Sequence, residues 1–204
     1  PLAFVICGFI AVLLLLAVTL NPVSAGLFTG GFTLASAEII LIFGVQVLCG
    51  YVFQAVGAVI MIFMLGLAAG SGIARRSGKM KPAGIYMRLQ FVLAILALAI
   101  PFVIRYLGVF HAGTWTINAV TGISGFVLAG IVGMEYRIAA SLSDKPLQKT
   151  VAGNYSADMF GSAAGAFAVT LFLIPGIGMT GTGLFLAAIN LVSALVLIRA
   201  RRKG

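Results

Sequence analysis

Gly26-Leu-Phe-Thr-Gly-Gly-Phe-Thr-Leu-Ala-Ser-Ala-Glu38-Ile-Ile-Leu-Ile-Phe-Gly-Val-Gln46 reads as one unbroken apolar helix with a single carboxylate near its middle. Twenty-one residues at 1.5 Å each are enough to cross the hydrocarbon of a bilayer. A carboxyl group at that depth is costly, so it is expected to face protein and to have a partner or a task.

The rest of the chain agrees with that reading. Hydrophobic residues make up 62% of the 204 and charged residues 8%. Mean hydropathy is +1.19. A soluble domain carries about a quarter charged residues, and a chain this apolar has too little polar surface to face water. The 26 glycines suit helices packed closely in lipid. A transmembrane β-barrel needs short alternating strands, which these long apolar runs are not. The class is therefore all-α, a polytopic transmembrane helical bundle.

About seven spans are expected, each of roughly 18–25 residues. They run from Leu2 to Leu20, Leu27 to Gln46, Val52 to Ala74, Tyr86 to Leu107, Trp115 to Ala140, Asn154 to Ile174 and Met179 to Ile198. Asn21-Pro22, Cys49-Gly50, Lys81-Pro82, Lys145-Pro146 and Pro175-Gly176 separate them, each a helix-breaking pair. The turn near Cys49 is very short, so a partly re-entrant arrangement of spans two and three is a second reading. No basic segment precedes Phe4 to Leu20, as a signal peptide requires. It reads as a first span, or as the remnant of a longer protein. Residues 1–204 form one transmembrane domain, expected to be part of a longer chain or a larger complex.

Basic residues set the expected orientation. Arg75, Arg76, Lys79, Lys81 and Arg88 form one cluster; Arg137, Lys145 and Lys149 form another; Arg199, Arg201, Arg202 and Lys203 form a third. With seven spans all three fall on one face, and Arg105 alone of the 13 approaches the other. The positive-inside rule makes that face cytoplasmic, with the N-terminus outside, as in a bacterial inner membrane. The charge of +9 needs no nucleic acid to explain it. Attraction to anionic lipid would add to the same effect.

Two patterns mislead. Gly176-Ile-Gly178-Met-Thr-Gly181 spells a dinucleotide fingerprint, but it joins two membrane spans and follows no strand. Asn154-Tyr-Ser156 spells a glycosylation sequon on the face expected to be cytoplasmic.

The residues that could carry chemistry are few. Glu38 lies mid-span, Glu135 and Arg137 near the cytoplasmic end of span five, and Asp158 near the start of span six. Glu135, Arg137 and Asp158 are expected at one depth. Read structurally, they are carboxylates paired with an arginine to lock helices. Read functionally, they are a site for protons, a cation or a polyamine. The structural reading leads for that group, and for Glu38 the two are balanced. Any hydrogen bond of Glu38 is expected to go to a backbone carbonyl, to Thr33 or Ser36, or to another chain. His111 reads as a loop residue, since one histidine cannot ligate haem from both sides. Cys7 and Cys49 read as buried thiols, with a disulfide as the alternative in an oxidising compartment. No metal-ligand spacing and no Ser/His/Asp set appears, so no cofactor, metal or catalytic residue is expected. Gly66 and Gly70 are four apart, as are Gly161 and Gly165, a spacing that lets helix backbones approach closely. Tyr51, Tyr106, Tyr136 and Trp115 sit where interface aromatics sit.

Several segments resemble the membrane domain of the spermidine synthase-like membrane proteins. These are Gly31 to Glu38, Met64 to Ser71, Gly133-Met-Glu135-Tyr-Arg-Ile-Ala139, Tyr155-Ser-Ala-Asp158-Met-Phe-Gly161-Ser-Ala-Ala-Gly165, and Pro175 to Thr182 with Asn190. The resemblance covers residues 27–198 and is most specific from Tyr155 to Asn190. It implies a helical bundle like half of a transporter. In two places the chain departs from the family. Leu41 and Phe43 stand where an aromatic and an arginine usually follow the glutamate, and Arg137 replaces a proline. These residues also include no aminopropyltransferase fold, so spermidine synthesis is not carried over. Two functions follow. One is a non-catalytic scaffold or accessory subunit of a larger membrane complex, which leads slightly. The other is a transporter-like module for a polyamine, small cation or protons, using Glu38 and Asp158. Either sits in the lipid bilayer with other membrane subunits or a second copy.

Overall fold

The computed structural model describes residues 21–50, 53–76, 82–142 and 147–203. They are helical almost throughout. The helices are α1 (Pro22–Cys49), α2 (Phe53–Arg76), α3 (Pro82–Val109), α4 (Thr114–Ser141), α5 (Leu147–Ala168) and α6 (Ile174–Lys203), with a π-helical turn, Val169–Leu173, between the last two. Prolines at the first turns of α1 and α3 lack only an N–H that has no partner there. Gly50, at φ 76°, closes α1 with a left-handed cap.

Contacts along the helices set their directions. The Tyr86 hydroxyl donates to the Val23 carbonyl at 3.0 Å, and Gly108 lies against Leu48, so α3 runs parallel to α1. Gly161 and Gly165 meet the carbonyls of Phe28 and Phe32, so α5 is parallel to α1 as well. Gly30 meets Glu135 and Leu41 meets Gly125, which makes α4 antiparallel to α1. Gly66 and Gly70 meet Phe126 and Gly130, so α2 lies parallel along α4. The residue 22 end of α1 thus shares one end of the bundle with Arg76, Pro82, Ser141 and Leu147. Among the described residues Arg88, Arg137 and Lys149 are exposed near that end.

The count of seven spans is not supported. Among the described residues five helical stretches are long and apolar enough to cross a membrane: Pro22–Cys49, Val56–Ala74, Ala83–Val109, Thr114–Ser141 and Gln148–Ile198. The expected first span lies outside the described residues. The expected sixth and seventh are parts of one 51-residue stretch. That stretch is not straight. Gly165 packs on Phe32, and Asn190 hydrogen-bonds Thr33, the next residue of α1. Twenty-five residues of straight helix would separate Gly165 from Asn190 by about 37 Å. The reversal lies at Gly178, whose φ of 71° and ψ of 175° are non-helical. Glycine reaches that conformation without a Cβ clash. Spans two and three are both full-length helices rather than re-entrant segments.

Phe32, Ile40, Leu93, Leu128 and Leu186 fill the core, contributed by α1, α3, α4 and α6. Outside, Phe102, Phe126, Phe160 and Leu191 are exposed. A surface this apolar suits acyl chains and not water. Trp115 and Tyr106 are exposed near the end opposite the basic one, as interface aromatics are.

Candidate functional site

Glycines on α1 make room for polar groups from three other helices. The first turns present Gly26, Gly30 and Gly31. At Gly26 α3 contributes Tyr86 and Gln90, both fully buried. Gln90 Nε2 donates to the Gly26 carbonyl at 3.0 Å and to Glu135 Oε2 at 3.3 Å. A Cβ on Gly26 would overlap the Tyr86 ring. At Gly30, α4 contributes Glu135, which is 0% exposed, and a Cβ there would lie 3.0 Å from Oε2. At Gly31, α5 contributes Asp158, and a Cβ there would lie 2.6 Å from Oδ1. Two carboxyl groups therefore flank a Gly-Gly step of one helix, close enough to repel each other when both are charged.

The cluster is incompletely bonded. Glu135 Oε1, Gln90 Oε1 and Asp158 Oδ1 are buried without a hydrogen-bond partner among the described residues. So is Nδ2 of Asn154, a buried residue one turn before Asp158. Native proteins leave few such groups, because each forfeits its hydration without replacement.

Of the four residues expected to carry chemistry, the fold brings two together. Glu135 and Asp158 meet at the Gly30–Gly31 step. Arg137 does not join them: it is exposed and forms no ion pair among the described residues. Positions two apart on a helix point in nearly opposite directions, so Glu135 facing inward turns Arg137 outward. Glu38 lies farther along α1, half-buried, with no hydrogen bond among the described residues. The partners expected for it are engaged elsewhere. Ser36 Oγ donates to the Phe32 carbonyl at 2.6 Å, and Thr33 Oγ1 accepts from Asn190 Nδ2 at 2.6 Å.

Sequence reasoning missed Tyr86 and Gln90, named Thr33 only as a partner for Glu38, and assigned Asn190 no contact. Each is a lone polar residue in an apolar run. Such a residue rarely stays in lipid without a partner on another helix, and that was the available signal.

The other marked positions have plainer roles. A Cβ at Gly66 or Gly70 would strike the carbonyl of Phe126 or Gly130, and one at Gly133 would strike Leu67. His111 caps α3 at φ 47°, its Nδ1 3.1 Å from the Gly108 carbonyl. Cys49 is a half-buried free thiol, while Cys7 lies outside the described residues. Among the described residues no group of three His, Cys, Asp or Glu side chains is placed to hold a metal.

Comparison with protein-family models, curated proteins and solved structures finds no match. The site's chemistry therefore rests on its own geometry. A fully buried and a half-buried carboxyl with no cation beside them among the described residues can take up or release a proton with little change of shape.

Proposed function

We propose that this chain is a non-catalytic, transport-type membrane module whose working site is a proton-binding carboxyl pair, Glu135 and Asp158. One observation carries the reading. Glu135 is fully buried opposite a second carboxyl, and its one hydrogen-bond partner among the described residues is the neutral amide of Gln90. A scaffold has no need of such a pair, which costs stability wherever it is not used. The titratable groups facing Glu135 are Tyr86 from α3 and Asp158 from α5. Helix packing favours a proton over a polyamine, since α1 backbone lies against both carboxyls.

The wider reading keeps the resemblance to the bundle of spermidine synthase-like membrane proteins. It places the basic end in the cytoplasm of a bacterial cell and counts the limbs on either side of Gly178 as two spans. A second copy or partner subunit completes the assembly.

The test is pH-titrated infrared difference spectroscopy of the reconstituted chain. A carboxylic-acid carbonyl band should appear and vanish reversibly with pH, and Glu135→Gln and Asp158→Asn should each remove part of it. Spectra that stay flat between weakly acidic and weakly basic pH would return the bundle to the scaffold reading.

A further inference from the structure

A cleft of mixed lining, with three polar residues among apolar ones, lies at the opposite end of the bundle. Although α1 and α2 are consecutive, they touch little, because α2 packs along α4 instead. The space left between them is a cavity of about 300 Å³ lined by Val45 of α1, Gln54 and Val59 of α2, and Asn118, Thr121 and Gly122 of α4. A water molecule occupies about 30 Å³ of liquid, so the cleft has room for several. Gln54 and Asn118 are exposed, and Thr121 lies deeper.

Glu38 stands between this cleft and the carboxyl pair. Gly31, Glu38 and Val45 are spaced by seven residues. Seven residues bring a helix to within about 20° of two full turns, so the three share one stripe of α1. Gly31 at one end of the stripe lies against Asp158, and Val45 at the other lines the cleft. Glu38 is about 10 Å along the axis from each. Among the described residues it has neither an ion pair nor a hydrogen bond. A carboxyl so placed holds no helices together.

Resting on the proton-site reading above, we propose that the cleft is the aqueous entrance to the Glu135–Asp158 pair, with Glu38 as the intermediate proton carrier. A proton passes from water in the cleft to the Glu38 carboxylate, and from there through water to Asp158. Each transfer breaks one O–H bond and forms another, so the positive charge moves with the proton and no other reactant is needed. A carboxylate midway is what a gap of about 20 Å requires, because neither end can reach across it alone.

The experiment follows the rate of protonation of the pair, by time-resolved infrared spectroscopy after a pH jump, in the full reconstituted chain. In a Cys7→Ser, Cys49→Ser background, Gln54→Cys is labelled with a membrane-impermeant sulfonated thiol reagent. Glu38→Gln is prepared separately. Blocking the cleft and removing the carrier should each slow protonation at least tenfold while leaving its final amplitude unchanged. Unchanged rates in both overturn the path but leave the site. A slow labelled protein beside a fast Glu38→Gln protein overturns the carrier role. An unmodified chain whose pair never titrates overturns the site, and the path with it. If Glu38→Gln does not fold, the labelled cleft alone decides.

Discussion

The α2–α4 contact and the α1 contact with Tyr86, Gln90 and Glu135 both depend on glycine, and they use it differently. Along α2 the space beside Gly66 and Gly70 is filled by the backbone of Phe126 and Gly130. Along α1 the space beside Gly26 and Gly30 is filled by polar side-chain atoms of Tyr86 and Glu135. Backbone cannot retreat, whereas a side chain shifts by changing rotamer. The first contact sets how closely two helices approach. The second sets where a buried polar group is held. Small residues in a membrane helix are thus a sign of proximity, and the neighbour decides what the proximity is for.

Four single substitutions and one double would break or sharpen this contrast. Gly70→Leu should have the largest effect. It drives a side chain into the Gly130 backbone and should cost more than about 3 kcal/mol, read as loss of a monodisperse folded peak in detergent. A Gly70→Leu protein that folds normally would remove the argument for α2–α4 packing. Gly30→Ala should cost about 1 kcal/mol, because Glu135 Oε2 can move by a few tenths of an ångström. Its clearer signature is an altered infrared band for Glu135 at nearly unchanged thermal midpoint. Asn190→Ala should also cost about 1 kcal/mol, through loss of the α6–α1 bond to Thr33. Combining it with Thr33→Val should add little, since both remove one bond; additive losses would show that the bond is not the source. Arg137→Ala should change stability by less than about 0.5 kcal/mol, as an exposed side chain with no ion pair among the described residues does. A loss above about 2 kcal/mol would reinstate the arginine-locked reading.

Much of the fold was legible because burial in lipid writes itself into long apolar runs. The span expected from Trp115 to Ala140 is the helix Thr114–Ser141, and that expected from Tyr86 to Leu107 is Pro82–Val109. The candidate site was half legible. Glu135 and Asp158 stood out as rare charges, but their neighbours did not, because Gln90 and Tyr86 carry no charge to mark them. The spacing of Glu135 and Arg137 already argued against a shared face. The expectation of a common depth overlooked that two residues turn a helix through about 200°.

Composition and hydropathy by themselves determined that the chain is helical, that its helices suit a membrane, and that its basic residues gather between particular helices. These follow from local physics: lipid offers backbone groups no hydrogen bonds, so each segment must satisfy its own. The tertiary structure decided which helices touch. It folded Gln148–Ile198 back at Gly178, laid α2 along α4 rather than α1, and set Glu135 and Asp158 against one Gly-Gly step. Those choices depend on which surfaces fit at close range between residues far apart in the chain, and no single span records the shape of its partner.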